Sequence, residues 1–166
     1  MALPERIIYE PIGVIRTPFP EPKGTPIQPR AARGVRGRVE LFPKYAEGLA
    51  DLEGFSHVIL IYHFHRAGPG RLRVRPFMDD REHGVFATRA PARPNPIGIS
   101  VVRLLGIEGN VLHVADVDIV DGTPLLDLKP YVPQFDAPSR ARIGWLGERI
   151  GKLPQARDDG RFSGAD

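Results

Sequence analysis

The sequence contains no cysteine. Disulfides, cysteine-ligated zinc, iron–sulfur clusters and thiol nucleophiles are therefore excluded. It also lacks any run of 18 apolar residues, so it offers no membrane-spanning helix. Residues 1–10 place charges and a proline where a signal peptide needs an apolar centre. These absences predict a soluble cytoplasmic protein. Known phosphate loops are missing too. No G-x-x-x-x-G-K-[ST] occurs, and Gly68-Pro69-Gly70 begins a G-x-G-x-x-G that fails at Arg73. That segment lies between two β-like runs and opens no helix, so a Rossmann dinucleotide site is unsupported.

What the chain does have is 18 glycines and 18 prolines in 166 residues. Both residues break helix interiors, which disfavours a helical bundle. Apolar residues at 42% argue against wholesale disorder. The length suits one domain with a sizeable core. Net charge is only +3, but residues 1–103 carry 16 basic against 10 acidic groups, and residues 104–166 carry 7 against 10. Arginine supplies 19 of the 23 basic side chains. Its planar fork suits carboxylates and phosphates, so anionic partners are favoured, although a GC-rich genome enriches arginine equally well.

Periodicity predicts mostly strands. Residues 7–16 (IIYEPIGVIR) read as an opening strand broken by Pro11, followed by a loop over 17–29 that holds five prolines. Residues 35–41 alternate apolar and charged, as a half-buried strand does. Residues 43–52 suit a short helix, and 55–64 (FSHVILIYHF) form the densest β run. A further half-buried strand is expected over 72–77. Residues 97–105 and 111–117 read as a hairpin about Glu108-Gly109-Asn110. The longer helix is expected over 139–150, N-capped by Ser139, with Ile143, Leu146 and Ile150 on its apolar face. Residues 160–166 read as a frayed tail. With no βαβ alternation, the fold class is mainly β: an antiparallel or mixed sheet closed or nearly closed into a barrel, with a few short helices.

Three regions carry candidate chemistry. His57, His63 and His65 share one face of the densest strand by alternation. His63 and His65 suggest a metal pair for a hydrolase, against hydrogen-bonded histidines in a barrel wall; no third ligand or H-E-x-x-H supports a metal. Arg89 and Arg93 bracket a proline-stiffened loop that ends at Gly98, which suits a pre-organised anion clamp. Asp116, Asp118, Asp121 and Asp127 form an acidic run. It lacks EF-hand spacing and suits either a cationic or ribose-bearing ligand or plain turn-making.

These residues also carry a family resemblance. The runs Asp51-Leu-Glu-Gly-Phe-Ser-His57, Phe64-His65, Gly84-Val-Phe-Ala-Thr-Arg89, Arg93-Pro-Asn-Pro-Ile-Gly-Ile-Ser100, Asp121-Gly-Thr-Pro and Asp127-Leu-Lys-Pro-Tyr131 resemble the TrmO/YaeB family over residues 7–136. The resemblance implies a single-sheet β-barrel that binds S-adenosylmethionine, usually as a homodimer, and methylates N6 of threonylcarbamoyladenosine beside the tRNA anticodon. It implies cofactor contacts from Pro26, Ile27 and Gln28, His65 and Arg66, Arg89, Ile99, and Asp118, Ile119, Val120 and Asp121. Ile27 stands where the family has Arg, and Arg66 where Gln is common. No catalytic residue and no metal follow from it. Residues 1–136 are expected to form the barrel domain, with 137–166 a helix and tail packed on it in place of the family's further C-terminal domain. Arg30, Arg33, Arg36 and Arg38, and Arg71, Arg73 and Arg75, are two basic stretches suited to RNA phosphates or to solvent. A non-catalytic module for an adenosyl ligand or RNA is the rival reading.

Overall fold

In the computed structural model, which describes residues 1–164, six strands close into one antiparallel barrel in the order β1-β2-β7-β6-β3-β8. They are β1 (Gly13–Arg16), β2 (Arg36–Leu41), β3 (His57–His63), β6 (Ile97–Glu108), β7 (Val111–Ala115) and β8 (Thr123–Pro130). A separate two-stranded ribbon, β4 (Arg73–Val74) with β5 (His83–Gly84), stands beside it. Closure leaves the six barrel strands no unpaired edge. The period of two then sorts the side chains. In β3, Val58, Leu60 and Tyr62 point inward and are buried, while His57, Ile59, Ile61 and His63 are half-buried on the outer face. The inward residues meet Ile15, Val39, Val102, Leu112 and Leu125 in one apolar core. Among the described residues no helix is long and apolar enough to cross a membrane.

The mainly-β barrel is as expected, with every ladder antiparallel. Several boundaries differ for physical reasons. The first strand begins only at Gly13, where pairing to Leu41 and Leu125 starts. Upstream of Pro11, Ile7, Ile8 and Tyr9 are exposed and find no ladder. The expected helix over 43–52 is instead two 3-10 turns, Pro43–Leu49 and Leu52–Gly54, divided by Asp51 at φ 67°. The strand expected over 72–77 shrinks to Arg73–Val74, with Leu72 exposed and Pro76 next in line. The strand β8 was not foreseen, because its Pro124 and acidic flank read as turn. It is inserted between β1 and β3, and it completes the closure.

The largest departure is at the C-terminus. Residues 139–150 do not form an α-helix. They continue into 3-10 turns at Gly144–Glu148 and Ile150–Gln155, and Ser139 makes no cap. Gly144 at φ 54°, Gly147 and Gly151 supply the breaks, since interior glycine costs roughly 1 kcal/mol against alanine. The only α-helix among the described residues is the single turn α1 (Pro133–Asp136). The expected frayed tail is also wrong through residue 164. Phe162 is 5% exposed and packs with Val74, Val85, Ala90, Ala92 and Phe77 in a second, smaller core. Residues 165 and 166 of that expectation lie outside the described residues.

Candidate functional site

Loops at the β3–β6 side of the barrel enclose a cavity of about 1290 Å³. That exceeds the ~300–1,000 Å³ usual for a small-ligand pocket. The proline-rich segment contributes Pro22 to Arg30, the end of β3 contributes His65 and Arg66, and the segment after β5 contributes residues 86–91 and Arg93. Residues 116–120 supply the remaining acidic wall through Asp116, Asp118, Ile119 and Val120. All the binding residues expected from sequence line this one cavity except Asp121.

Asp121 is engaged elsewhere. Its Oδ1 accepts from the Thr17 amide at 3.0 Å, its own amide donates to the Phe19 carbonyl at 2.7 Å, and Arg16 Nη1 lies 3.9 Å from its Oδ2. It holds the start of the proline-rich loop, which matches the turn-making alternative for that residue. Arg93 is also spent locally: its Nη1 donates to the Thr88 carbonyl at 3.0 Å and the Ala90 carbonyl at 3.2 Å. The expected two-arginine clamp therefore reduces to Arg89. Its Nη1 donates to Gln28 Oε1 at 3.0 Å, which ties the arginine loop to the proline-rich loop. Pro26, Ile27 and Gln28 present a mostly apolar, backbone-rich strip beside it.

Under the cavity lies a polar relay that sequence reasoning missed. The Ser100 hydroxyl donates to Asp118 Oδ1 at 2.6 Å. Having one proton, it then accepts from the Tyr62 hydroxyl, 2.9 Å away, while Asp118 is ionised. Strand geometry places two of the three groups, and the loop after β7 brings the third. Tyr62 points inward on β3, Ser100 points inward on the paired β6, and Asp118 follows β7. Gly98 is required here by close approach: a Cβ on it would overlap the Tyr62 and Phe64 rings. Burial pushes the Asp118 carboxyl up to about 7, against the opposing pull of the Ser100 hydrogen bond and of Arg89. Burial, then Asp118, raises Tyr62 well above its ordinary value. A group signal existed in the sequence, since Ser100 closes the Arg93–Ser100 run. Nothing in the linear order tied it to Tyr62 or Asp118.

His65 is turned into the site, but not as a strand residue. β3 ends at His63, and the His65 amide folds back to the His63 carbonyl at 2.9 Å. The expected shared face of His63 and His65 is therefore broken by the chain turning at Phe64. His65 Nδ1 lies 3.3 Å from the Thr123 hydroxyl, which itself donates to the Val120 carbonyl at 2.6 Å. Burial, followed by Arg66 and His63, lowers the His65 pKa, so the neutral imidazole is favoured. Among the described residues no group of three His, Asp or Glu side chains is arranged to hold a metal.

The C-terminal segment forms the cavity's remaining wall through Trp145, Leu146, Ile150, Leu153, Asp158 and Phe162. Trp145 stacks on His83 at 4.4 Å and donates from Nε1 to the Ala87 carbonyl at 2.8 Å. His83 in turn donates to Asp79 at 2.8 Å, with Arg149 3.5 Å from the same carboxylate. The His83 hydrogen bond, above all, holds Asp79 down to about 2. An aromatic in a tail otherwise polar was the available sequence signal for Phe162.

The tRNA-methyltransferase O N-terminal domain family matches residues 14–137. A protein of Pyrococcus abyssi named as a probable S-adenosyl-L-methionine-binding protein is 63% identical over 98% of this chain and 88% of its own length. The human protein named tRNA (adenine(37)-N6)-methyltransferase is 36% identical over 80% of this chain, which spans only 32% of it. The crystal structure of TrmO from Pseudomonas aeruginosa superimposes with a TM-score of 0.71 at 45% identity, covering 84% of this chain and 62% of that one.

Proposed function

The chain belongs to the family of tRNA-methyltransferase O N-terminal domains, and from that premise we propose that it binds S-adenosylmethionine and transfers its methyl group to tRNA. The acceptor we propose is N6 of threonylcarbamoyladenosine beside the anticodon. The observation that carries this reading is the convergence of Pro26–Gln28, His65–Arg66, Arg89, Ile99 and residues 118–120 on one cavity. The donor set suits the ligand. Arg89 offers a guanidinium to its carboxylate, Asp118 a carboxylate to a cationic group, and Ile27, Ile99 and Ile119 an apolar wall to the adenine. When bound, S-adenosylmethionine supplies an electrophilic methyl on a sulfonium. The protein's part is positioning: the Gln28–Arg89 bond and the Tyr62–Ser100–Asp118 relay fix the donor side. The cavity's excess volume leaves room for an acceptor nucleoside.

We take the barrel and the C-terminal segment as one domain, acting in the cytoplasm with tRNA. Ile97 and Ile99 are 44% and 46% exposed on the outer face of β6, beside Ile59 and Val101. This apolar strip borders the cavity, and we assign its Ile97 end to a homodimer contact; light scattering of the wild type against Ile97→Arg tests it. Arg30 and Arg33 stand at the cavity and Arg36 and Arg38 on the outer face of β2, a track for anticodon-stem phosphates. The second stretch is weaker, because Arg73 faces Glu82 at 3.6 Å.

Mass spectrometry of nucleosides from tRNA incubated with protein and S-adenosylmethionine is the test. A methylated threonylcarbamoyladenosine is expected; its absence, with calorimetric binding intact, favours the non-catalytic module. One observation favours that second reading: the Pyrococcus abyssi relative is named for binding alone. Calorimetry should also show Arg89→Ala losing affinity.

A further inference from the structure

Residues 156–164 lie beyond the family match, yet they touch two of the loops that carry the proposed site. Toward the proline-rich loop, the Gly24 amide donates to the Asp158 carbonyl at 2.7 Å and the Asp158 amide donates to the Thr25 carbonyl at 2.8 Å. Pro26 and Arg157 form an isolated antiparallel bridge. Toward the loop after β3, the Gly68 amide donates to the Phe162 carbonyl at 2.8 Å and the Gly164 amide to the Arg66 carbonyl at 3.0 Å, about an Ala67–Ser163 bridge. The segment is thus a short strap with one hydrogen-bonded end on residues 24–26 and the other on residues 66–68. Between the ends, Phe162 is anchored edge-on to Phe77 at 4.9 Å in the second core.

Asp158 sits on this strap and lines the cavity. Its Oδ1 accepts the Gly160 amide at 2.7 Å, which closes the turn, and among the described residues no hydrogen bond or ion pair engages its Oδ2. The nearby cation does not neutralise it. Arg161 forms its salt bridge with Asp159 and lies 5.2 Å over the Phe77 ring. A half-buried carboxylate facing a cavity without a paired cation is costly when ionised, and a cation on a ligand would offset that cost.

We propose that this strap is part of the binding site: it sets the spacing of the Pro26–Gln28 and His65–Arg66 loops, and Asp158 receives a cationic group of the ligand. The cation role rests on the S-adenosylmethionine reading; the spacing role does not. Burial pushes the Asp158 carboxyl up to about 6, with Asp159 acting in the same direction and the Gly160 amide and Arg161 opposing. A bound cation favours the ionised form and reverses that shift.

Two measurements on the full chain test the two roles separately. Hydrogen exchange of Phe162→Ala should show the Gly24 and Gly68 amides losing protection while β3 amides keep theirs, with Phe162→Leu restoring much of the difference. Unchanged Gly24 and Gly68 protection overturns the spacing role, as does equal loss in β3. Calorimetric titration of Asp158→Asn, whose side-chain oxygen still accepts from Gly160, should show S-adenosylmethionine bound about tenfold more weakly and uncharged adenosine unchanged. Equal weakening of both ligands, or of neither, overturns the cation role. Failure of the wild type to bind S-adenosylmethionine overturns the functional reading together with the cation role, and the exchange result still decides the spacing role.

Discussion

Inside the barrel, Ile15, Leu60, Leu112 and Leu125 are enclosed by strands whose ladder closes on itself. Beside the cavity, Phe162, Val74, Val85 and Ala92 are just as well covered, but by turns, a two-residue ribbon and isolated bridges. All eight are 5% exposed or less; what differs is the backbone behind them. The barrel core is backed by continuous hydrogen-bonded strands, so opening any part of it disturbs the whole. The small core is backed by a few bonds each, so it can open as a local unit. The proposed site lies between them, with its polar relay mounted on barrel strands and its loops mounted on the small core.

The strongest test of this contrast is Leu60→Ala. Truncating a fully buried leucine should cost about 3–4 kcal/mol of global stability. Urea unfolding would show a lowered midpoint, and barrel and cavity amides would lose protection together. If only the cavity loosened, the two cores would not be ranked as argued. Phe162→Ala should have the next effect on the global midpoint: truncating a buried phenylalanine costs about 3 kcal/mol, but here it is felt as local opening more than as global unfolding. A midpoint shift as large as that of Leu60→Ala would merge the two cores into one cooperative unit.

The third test concerns the relay. Asp118 is pushed up to about 7 in the fold from an ordinary value of 3.8. A raised carboxyl favours the protonated form in the folded state. That contribution is complete below about pH 4 and is lost as pH rises through about 7. The amide introduced by Asp118→Asn mimics the protonated side chain and does not titrate. The stability of the wild type relative to Asp118→Asn should therefore fall as pH rises from about 4 to about 8. The raised Asp158 titrates in both proteins and cancels in the difference. The groups acting on Asp118 are Ser100 and Arg89, both unchanged in the variant. A difference that is flat with pH would show Asp118 to be solvated like an ordinary surface acid. Above the Asp118 transition the same variant should bind S-adenosylmethionine more weakly, so stability and binding move in opposite directions.

The barrel was readable because its signal is local. Alternation over 57–63 and over 36–41, and a Gly-Asn turn after a β run, dictate strands whatever surrounds them. The candidate loops were readable because their motifs are contiguous, and all but Asp121 converge on one cavity. β8 was hidden because Pro124 and Asp127 weigh against a strand, and only its two neighbours hold it there. The Tyr62–Ser100–Asp118 relay spans three elements, so no window of sequence contains it. The C-terminus failed for the opposite reason. Helical spacing of Ile143, Leu146 and Ile150 was real, but glycines at 144, 147 and 151 let the chain turn in 3-10 steps. Leu146 and Ile150 still reach the cavity.

The smallest expected effect is the most specific. Ser100→Ala removes a hydroxyl that is 2% exposed and serves two partners. The loss of the bonds themselves should cost about 1 kcal/mol. The added consequence is that the Tyr62 hydroxyl, buried and donating to Ser100, has no acceptor left. Adding Tyr62→Phe removes that orphaned group. The double variant should therefore be no less stable than Ser100→Ala alone, a non-additivity that thermal unfolding can resolve. Additive losses would mean that Tyr62 and Ser100 contribute independently. The relay would then be two separate barrel contacts, and Asp118 would be held by its own backbone instead of by the strands beneath it.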